Sequence, residues 1–433
     1  MDINEYLKQF DKFTKDPTLE AMYFLLDKFD NPQNKLKIIH IAGTNGKGSV
    51  CEMLNRILVD SGYTVGKFIS PQLIKFNETI TVNDEEISDE EISKILEKLS
   101  VYIDEYNSKH EIKVKWFEVI TSVALIYFAQ RKCDFAVIET GLGGTTDCTN
   151  VVESMISIIV SVGLDHVDIL GNNIVDIAKH KAGIIKDNSD VIYLKRENDE
   201  EVLNVIIDKC KKTNSKLHLA KKSECTDYKY DKDFQYFTYK GIKDIPVNLK
   251  GKKQIYNSTI CLKAVEILKE KGYKIEYNTV KNSLKNVIHR ARFEKLLDNP
   301  EIIYDGAHNA PAIENLIQTI NQYYSNTEKV FIVSILGTKD YKTIVSKLVN
   351  KYNDSEFYFT DGVSDRKFIE SEELKKVAEK ENSYGIYNTG SLVDTIEKVS
   401  KKYKDSNKVI FIIGSFYIYK EVVDILNKLK NNK

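Results

Sequence analysis

The fold assignment depends on one stretch, residues 37–62, with the sequence KIIHIAGTNGKGSVCEMLNRILVDSG. Residues 37–42 form an apolar run of strand length, and residues 49–62 show a helical spacing of apolar side chains that ends at Gly62. The Gly-rich segment GTNGKGS lies between them at residues 43–49. A strand, a Gly-rich turn and a helix in this order predict a loop whose backbone N–H groups surround a phosphate at the positive end of the helix.

Two side chains of this loop are of the types that bind a nucleotide. Lys47 would reach the β- and γ-phosphates, and Ser49 would hold Mg²⁺. The strict pattern G-x-x-x-x-G-K-[ST] is not met, because Ile41 stands at its first Gly position and Gly48 intervenes before Ser49. A Gly-rich turn without a ligand is therefore the alternative interpretation.

The sequence around this loop alternates short apolar runs with amphipathic stretches. Such alternation predicts an α/β fold with a mainly parallel sheet covered by helices on both faces. The pattern changes at residues 226–250, where period-2 alternation predicts an antiparallel hairpin. It restarts near residue 297, so two domains, 1–296 and 297–433, are expected. The predicted strands are 37–42, 64–70, 134–141 and 155–163, then EIIYDG, KVFIVSIL, EFYFTDG and KVIFIIGS in the second domain, and the predicted helices lie near 49–62, 117–130, 174–182, 253–271 and 279–287.

Unusual polar residues stand where predicted strands of the first domain end. Ser70 closes the second strand, Glu139 the third, and Asp165 and His166 follow the fourth. Because ligands bind outside the carboxyl ends of strands in open α/β sheets, these side chains could converge on the Gly-rich loop. A Ser, a carboxylate and an imidazole could then hold a second divalent ion. Taken one at a time, each residue is also explained as an ordinary turn or capping group.

The second domain has a polar segment, Asp305-Gly-Ala-His-Asn, at the end of its first strand. A turn with a helix N-cap explains this segment equally well on pattern alone. Arg292 lies 13 residues before Asp305, in the segment between the domains. Only six of the 63 basic residues are Arg. Because the Arg side chain favours bidentate recognition of anions, the position of Arg292 is informative.

Composition argues against several other classes of protein. The 63 basic and 64 acidic residues nearly cancel, so the chain lacks the basic excess typical of nucleic-acid binding. The six cysteines include no CxxC pair, which favours reduced thiols over a disulfide framework or a zinc site. The N-terminus lacks the features of a signal peptide, and no apolar run approaches 18 residues. We therefore expect a cytoplasmic protein without nucleic-acid or membrane partners.

Taken together, the motifs resemble those of the folylpolyglutamate synthase and dihydrofolate synthase family, which is related to the Mur ligases of cell-wall synthesis. The matching segments run in the family's order from residue 40 to about residue 420, so the resemblance covers nearly the whole chain. They are HIAGTNGKGS (40–49), SPQL (70–73), FNETITVN (76–83), WFEVIT (116–121), ETGLGGTTDCTNVV (139–152), SVGLDHVDILG (161–171), IAKHKAGIIK (177–186), GKKQIYN (251–257), ARFE (291–294), DGAHNAP (305–311) and IIGSFYIY (412–419).

The resemblance implies a P-loop Mur-ligase-like ATPase domain with a mainly parallel sheet, a smaller Rossmann-like α/β C-terminal domain, and a site in the cleft between them. It implies an ATP-dependent ligase that activates a carboxylate as an acyl phosphate and joins it to L-glutamate. The carboxylate substrate would be dihydropteroate, a reduced folate, or both. The implied cofactors are ATP, Mg²⁺ at two sites, an optional monovalent cation and a carbamylated Lys181. The implied oligomeric state is a monomer.

The resemblance also implies roles for individual residues. Lys47, Lys181 and His308 would be catalytic. Ser49 would belong to the first Mg²⁺ site, and Ser70, Glu139 and His166 would be metal ligands at the second. The implied ATP-binding residues are Gly43, Thr44, Asn45, Gly46, Lys47, Gly48, Ser49, Asn257, Arg292 and Asp305, the implied folate-binding residues are Phe117, Glu118, Thr146, Asp147 and Cys148, and the implied glutamate-binding residues are His308 and Ser415.

Four positions depart from the family pattern. Thr145 stands where an arginine is common after the double glycine, and Gln72 stands where a His usually follows Ser-Pro. Ala291 replaces the Gly before the Arg, and Thr338 replaces the first Asp of a frequent DKD. The first two departures could alter pterin binding, and the last two could alter nucleotide or inter-domain contacts.

Two other functions stay open at this stage. A Mur-type ligase of cell-wall peptide synthesis uses the same chemistry, but such enzymes usually carry an additional N-terminal substrate domain, whereas the Gly-rich loop here begins at residue 43. A P-loop protein that binds a nucleotide without ligating anything would not explain a second α/β domain with the DGAHN segment.

Overall fold

The computed structural model describes residues 3–11, 18–363 and 366–431. Contacts between residues group the chain into two units. The first unit comprises residues 1–229, 236–248 and 254–287, and the second comprises residues 230–235, 249–253 and 288–433.

Helices and strands alternate along most of the chain up to residue 287. The helices are α1 (Ile3–Lys8), α2 (Glu20–Asp27), α3 (Lys47–Asp60), α4 (Asp89–Lys109), α5 (Trp116–Gln130), α6 (Val167–Leu170), α7 (Ile174–Ala182), α8 (Glu200–Lys212), α9 (Lys252–Glu270) and α10 (Tyr277–Asn286). The strands are β1 (Lys37–Ala42), β2 (Val65–Phe68), β3 (Ile80–Val82), β4 (Glu85–Glu86), β5 (Phe135–Glu139), β6 (Ser154–Ile159), β7 (Asp190–Lys195), β8 (Lys216–Lys221), β9 (Cys225–Tyr230), β10 (Gln235–Tyr239) and β11 (Ile242–Val247).

Eight of these strands form one sheet in the order β4-β3-β2-β5-β1-β6-β7-β8. The strands from β2 to β8 in this order are parallel, and β3 and β4 add an antiparallel edge. Residues 38–42 of β1 have no exposed surface, which explains why this central strand is apolar without alternation. Because the parallel strands share one direction, the loops that follow β1, β2, β5 and β6 lie at one edge of the sheet.

The segment 226–250 forms three strands where a single hairpin was predicted. Strands β9, β10 and β11 make a sheet of their own in the order β11-β10-β9. Two turns separate them. Asp231 Oδ1 accepts hydrogen bonds from the N–H groups of Asp233 and Phe234 in the first, and Lys240 and Gly241 have positive φ angles of 46° and 84° in the second. Only the second turn has a glycine, so the sequence indicates the first turn less clearly.

Two long helices show how the sequence positions the elements around the large sheet. Helix α4 begins with a capping box, in which Ser88 accepts from the Glu91 N–H and Glu91 accepts from the Ser88 N–H. Helix α5 is apolar on nearly every side, and residues 118–128 are all buried, as expected for a helix of the core. No helix of the described residues, α5 included, is both long and apolar enough to cross a membrane.

The second unit is built on a six-stranded sheet in the order β12-β13-β17-β14-β15-β16. Strand β12 is antiparallel to β13, and the remaining pairs are parallel. The predicted domain boundary between residues 296 and 297 stays a prediction; residues 288–296 group by contacts with the second unit. The elements are β12 (Glu294–Asp298), β13 (Glu301–Asp305), α11 (Ala310–Tyr323), β14 (Lys329–Val333), α12 (Tyr341–Lys351), β15 (Glu356–Asp361), α13 (Ser371–Glu381), β16 (Ile386–Ser391), α14 (Leu392–Lys402), β17 (Val409–Ile413) and α15 (Tyr419–Asn431).

Candidate functional site

The Gly-rich loop between β1 and α3 is held by the segment that follows β6. The Thr44 N–H donates to the carbonyl oxygen of Ser161 at 2.8 Å, and Thr44 Oγ1 donates to the carbonyl oxygen of Gly163 at 3.0 Å. The Asn45 N–H donates to Ser161 Oγ at 2.9 Å. The main-chain N–H groups of Thr44 and Asn45 are therefore used inside the protein. The first turn of α3 follows directly, at the helix end where backbone N–H groups favour an anion.

The structure brings together Lys47, Glu139 and Ser70 at the carboxyl edge of the large sheet. The amine Nζ of Lys47 lies 3.0 Å from the carbonyl oxygen of Gly43 and 3.8 Å from Glu139 Oε1. Glu139 ends β5 and is only 5% exposed, and its Oε2 accepts from the Ser70 N–H at 3.3 Å. A partly exposed cation and a buried carboxylate thus stand side by side at the start of α3.

Asn257 of α9 packs against Gly46 of the Gly-rich loop. Gly46 has a φ angle of 93°, and a Cβ atom there would lie 3.0 Å from Asn257 Oδ1. The Nδ2 of Asn257 donates to Gln254 Oε1 at 2.8 Å, and Gln254 Nε2 donates to Ser49 Oγ at 3.3 Å. Asn257 Oδ1 is buried and has no hydrogen-bond partner among the described residues. Because an unpaired buried acceptor is costly, this oxygen marks a position for a donor that the protein itself does not supply.

The loop that follows β5 packs on the C-terminal end of α7. A Cβ atom on Gly144 would lie 3.1 Å from the Cα of Lys181. The Thr145 N–H donates to the carbonyl oxygen of His180 at 2.8 Å, and Asn150 Nδ2 donates to the carbonyl oxygen of Gly183 at 3.2 Å. The glycine at position 144 is therefore required by a close approach of two backbones, and this approach brings the loop next to Lys181.

Lys181 of the first unit is unusual for a lysine because its side chain is buried. Its side chain belongs to the last turn of α7 and is only 3% exposed. Burial, together with the nearby charge of Lys47, lowers the pKa of Lys181 to about 7. A large share of the Lys181 amine is consequently neutral near pH 7, which an exposed lysine does not achieve.

Three of the predicted folate-binding residues lie in the loop after β5. Asp147 is 5% exposed, and its Oδ2 accepts from the Leu142 N–H at 2.7 Å. Burial raises the pKa of Asp147. Thr146 and Cys148 flank it and are partly exposed. Asp147 thus holds the loop in shape, while its neighbours keep contact with solvent.

The other two predicted folate-binding residues begin α5. Phe117 stacks on Phe68 with ring centroids 5.8 Å apart, and Trp116 stacks on Phe117 at 6.4 Å. Glu118 Oε2 accepts from the Lys115 N–H at 2.7 Å, so this carboxylate caps the helix. Burial raises the pKa of Glu118 to about 7. Stacked aromatic rings thus stand at the start of α5, and the same helix turn carries a carboxyl group of raised pKa.

His166 is more exposed to solvent than the other predicted metal ligands. It lies beyond the end of β6 with a positive φ angle of 51°, its side chain is 47% exposed, and its Nε2 lies 3.9 Å from Asp165 Oδ1. In the part of the chain that the structure describes, no group of three or more His, Cys, Asp or Glu side chains is placed to hold a metal ion. The two Mg²⁺ sites therefore stay predictions.

In the second unit, Asp305 holds the turn that contains Arg292. Asp305 Oδ1 accepts from the Ala307 N–H at 2.8 Å, and Oδ2 accepts from the Phe293 N–H at 2.9 Å. Ala291 and Phe293 have positive φ angles of 58° and 47°. Burial raises the pKa of Asp305, whereas the guanidinium of Arg292 lowers it. Oδ2 thus stabilises a backbone conformation that residues other than glycine rarely adopt, whereas Oδ1 stabilises the turn that follows Asp305.

Phe416 connects the other predicted residues of the second unit. The guanidinium carbon of Arg292 lies 4.5 Å from the centroid of the Phe416 ring, and the ring of His308 meets Phe416 edge-on at 5.2 Å. His308 Nδ1 lies 2.8 Å from the carbonyl oxygen of Gly306. Ser415 is buried, and its Oγ accepts from the Tyr417 N–H at 3.1 Å. One aromatic ring therefore orients an arginine and a histidine.

Sequence reasoning missed three residues of these arrangements. Ser161 braces the Gly-rich loop, Gln254 links Ser49 to Asn257, and Phe416 orients Arg292 and His308. Each stands within a segment that matches the family pattern, but none carries a charge, and the resemblance assigns none of them a role. Position in a matching segment was the only available signal.

Comparison with known proteins extends these observations. Residues 41–265 match the model of the Mur ligase middle domain, and residues 289–425 match the model of the dihydrofolate synthetase C-terminal domain. The chain is 32% identical to the dihydrofolate synthase/folylpolyglutamate synthase of Bacillus subtilis, over 97% of this chain and 96% of that protein. The second match favours the folate branch of the Mur ligases over the cell-wall branch.

Solved structures agree with the sequence matches. The folylpolyglutamate synthase of Thermotoga maritima has a TM-score of 0.83 at 30% identity, with 98% of this chain and 96% of that chain covered. The Mycobacterium tuberculosis folylpolyglutamate synthase, solved with ADP and AMPPCP, has a TM-score of 0.88 at 25% identity, with 99% and 97% covered. With both halves of the chain matched and the identity extending over nearly its full length, the protein belongs to the dihydrofolate synthase/folylpolyglutamate synthase family of the Mur ligases.

Proposed function

We propose that this protein uses ATP to add L-glutamate to dihydropteroate, to a reduced folate, or to both. The carboxylate of the pteridine substrate attacks the γ-phosphate, so that a C–O–P bond forms and ADP leaves. The amine of glutamate then attacks the acyl phosphate, an amide bond forms, and inorganic phosphate leaves with loss of a proton. The Bacillus subtilis relative carries the names of both synthases, which supports the choice of substrates.

The Gly-rich loop is the proposed site of phosphate binding. Lys47 carries a positive charge to the N-terminus of α3, where the backbone N–H groups of the first turn also attract an anion. The unpaired Asn257 Oδ1 offers an acceptor to an amino group of the nucleotide. In the second unit, Arg292 with Asp305 is the proposed second contact with the nucleotide. The complex of the tuberculosis enzyme with ADP and AMPPCP supports a nucleotide as the ligand.

The donor atoms near this loop fit a magnesium ion. Glu139 supplies a buried carboxylate next to Lys47, and Ser49 and Ser70 supply hydroxyl oxygens, which are the hard ligands that Mg²⁺ prefers. Ser49 would hold the first ion, and Ser70, Glu139 and His166 would hold the second. A bound Mg²⁺ would neutralise charge on the phosphates. The monovalent cation and the monomeric state stay predictions.

Lys181 is proposed to carry a carbamate. Its neutral amine adds to carbon dioxide, a C–N bond forms, and one proton is released to solvent. The product is an anionic carboxylate in place of a cation. The burial of Lys181 and its pKa of about 7 support this reaction, because only the neutral amine is a nucleophile.

The remaining assignments concern the two organic substrates. Phe117 is proposed to stack on the pteridine ring, and the loop residues Thr146, Asp147 and Cys148 are proposed to contact its polar edge. Glu118 adds a carboxyl group whose pKa of about 7 lets it exist in either protonation state. His308, which packs on Phe416, and Ser415, which accepts from the Tyr417 N–H, are proposed to contact the incoming glutamate.

The observation that carries this proposal is the placement of the Lys47 amine between the carbonyl oxygen of Gly43 and the carboxylate of Glu139, at the N-terminus of α3. The test is a product assay with ATP and L-glutamate, with dihydropteroate and tetrahydrofolate offered side by side. We expect phosphate release that requires glutamate and at least one pteridine, with a product heavier by one glutamate. Phosphate release that is independent of both organic substrates would contradict the proposal.

A further inference from the structure

A buried chain of hydrogen bonds connects the central strand β1 to the loop that follows β5. His40 Nε2 lies 2.7 Å from Thr149 Oγ1, across 109 residues of sequence. Thr149 Oγ1 in turn forms a short hydrogen bond with Asp147 Oδ1. His40 and Thr149 have no exposed surface. The sequence motifs assign no role to His40 or Thr149, and the proposed chemistry uses neither.

The direction of the hydrogen bonds follows from the partners of Asp147. Its Oδ1 also accepts from the Thr149 N–H at 3.0 Å, and its Oδ2 accepts from the Leu142 N–H. A carboxylate that takes two backbone donors acts as an acceptor, so the Thr149 hydroxyl donates its only hydrogen to Asp147. His40 Nε2 must then carry a hydrogen and donate it to Thr149 Oγ1.

The charge state of His40 agrees with this direction. Burial lowers the pKa of His40 to about 3, so the imidazole is neutral at physiological pH. Its other nitrogen, Nδ1, is buried and has no hydrogen-bond partner among the described residues. A neutral ring with hydrogen on Nε2 leaves an acceptor unpaired at Nδ1, which is less costly than burying an unpaired charge.

These hydrogen bonds leave the Asp147 carboxylate little capacity to accept another one. A carboxylate offers about four acceptor positions, and the described bonds use three of them. The remaining position belongs to Oδ2, which would lie 3.3 Å from a Cβ atom on Gly141. The same Cβ atom would lie 2.7 Å from Phe117. The last free acceptor of Asp147 therefore lies beside the ring that is proposed to stack on the pteridine.

We propose that His40 and Thr149 are positioning residues for the pteridine substrate: their buried hydrogen bonds hold the Asp147 carboxylate beside Phe117 with one acceptor left for an N–H group of the ring. This inference rests on the proposed function, which places Asp147 and Phe117 against the pteridine. The two residues act only through Asp147. Their loss should therefore weaken pteridine binding and leave ATP binding unchanged.

The test compares Thr149→Val, which keeps the shape but removes the hydroxyl, with Thr149→Ser, which keeps the hydroxyl. Trp116 is the only tryptophan of the chain and stacks on Phe117, so its fluorescence reports pteridine binding directly. For Thr149→Val we expect the Kd and KM for dihydropteroate to rise about tenfold. We expect the KM for ATP to stay within about twofold of wild type, and Thr149→Ser to resemble wild type.

A second pair of variants covers the case in which Thr149→Val does not fold. His40→Gln places an amide near the position of Nε2, whereas His40→Asn places it near Nδ1, so His40→Gln should bind dihydropteroate more tightly. Equal binding by His40→Gln and His40→Asn, or equal rises in KM for dihydropteroate and ATP, would overturn the inference. The wild-type protein is measured first. If it neither binds nor ligates dihydropteroate, the proposed function itself fails, whereas normal wild-type ligation with unaffected variants refutes only the positioning role.

Discussion

The Gly-rich loop of the first unit and the Asp305 turn of the second unit carry similar sequence signals but use their polar groups differently. Both directly follow a strand of a parallel sheet. At the Gly-rich loop, Asn257 Oδ1 lies beside Gly46 without a partner among the described residues. At the turn, both oxygens of Asp305 accept backbone N–H groups. One region holds an acceptor without any partner among the described residues, whereas the carboxylate of the other already supports its own backbone through both oxygens.

This difference shows what a polar residue at the end of a strand can mean. Such a residue can bind a ligand, or it can satisfy the backbone donors of an irregular turn. The sequence does not distinguish these uses, because both require the same side-chain types at the same place. The loss of Lys47 should therefore affect catalysis, whereas the loss of Asp305 should also affect stability.

The largest effect is expected for Lys47→Ala. The amine of Lys47 would stabilise charge that develops on the transferred phosphoryl group, and removing one such donor lowers kcat by roughly 10²–10³. The midpoint of thermal unfolding should stay near that of wild type, because the Lys47 side chain lies at the edge of the sheet. Steady-state phosphate release and a melting curve provide the two measurements.

Lys179→Ala is the matched control, since Lys179 is a lysine of the same unit with 63% side-chain exposure. It should leave kcat unchanged. Near-normal turnover of Lys47→Ala would contradict the proposal that Lys47 binds phosphate. The proposed difference between the Gly-rich loop and the Asp305 turn would then lose its support.

Lys181→Arg should lose nearly as much activity as Lys181→Ala. Arginine keeps the positive charge but cannot form the carbamate, so both variants lack the anionic group. Addition of acetate should restore part of the activity of Lys181→Ala, because a small carboxylate can occupy the vacated space. A fully active Lys181→Arg enzyme would end the carbamate proposal and leave the ligase assignment intact.

The pKa of Lys181 gives this proposal a pH dependence. The carbamate forms from the neutral amine, whose fraction rises as pH increases through about 7. After removal of carbon dioxide, the rate of reactivation at a fixed concentration of dissolved carbon dioxide should therefore increase from pH 6 to pH 8 and then level off. A rate that keeps rising up to pH 10 would indicate an ordinary, solvated lysine.

Asp305→Ala should destabilise the second unit by about 1–3 kcal/mol, because the N–H groups of Phe293 and Ala307 lose their acceptor. Urea unfolding followed by circular dichroism measures the loss, and hydrogen exchange at residues 291–307 localises it. Asp298→Ala is the control, since that carboxylate is exposed on the same unit. Unchanged protection at residues 291–307 would show that Asp305 is free to serve a ligand.

The smallest effect is expected for Asn257→Ala. Loss of a single neutral hydrogen bond should raise the KM for ATP by about tenfold or less, with kcat nearly unchanged. Asn350→Ala, an exposed asparagine of the second unit, provides the comparison. An equal effect of both substitutions would mean that the unpaired Oδ1 of Asn257 does not contact the nucleotide.

Local pattern predicted much of the fold. Strand β1 and helix α7 have the predicted bounds, and α3 begins at Lys47, two residues earlier than predicted. Strand β16, with the sequence IYNTGS, was not predicted because it is a half-exposed edge strand without an apolar run. Strands β7 and β8 were also not predicted. The α/β class could be derived because buried parallel strands leave a continuous apolar signal.

The sequence by itself determined the strand, the Gly-rich turn and the helix that form the proposed phosphate-binding loop, because these depend on residues 37–62 alone. Only the tertiary structure decided which distant groups surround this loop. Asn257 reaches Gly46 across 211 residues, and His40 reaches Thr149 across 109 residues. Spacing along the chain carries no information about such contacts, because they depend on how strands and helices pack. The burial that makes Lys181 unusual among the lysines is likewise a property of packing.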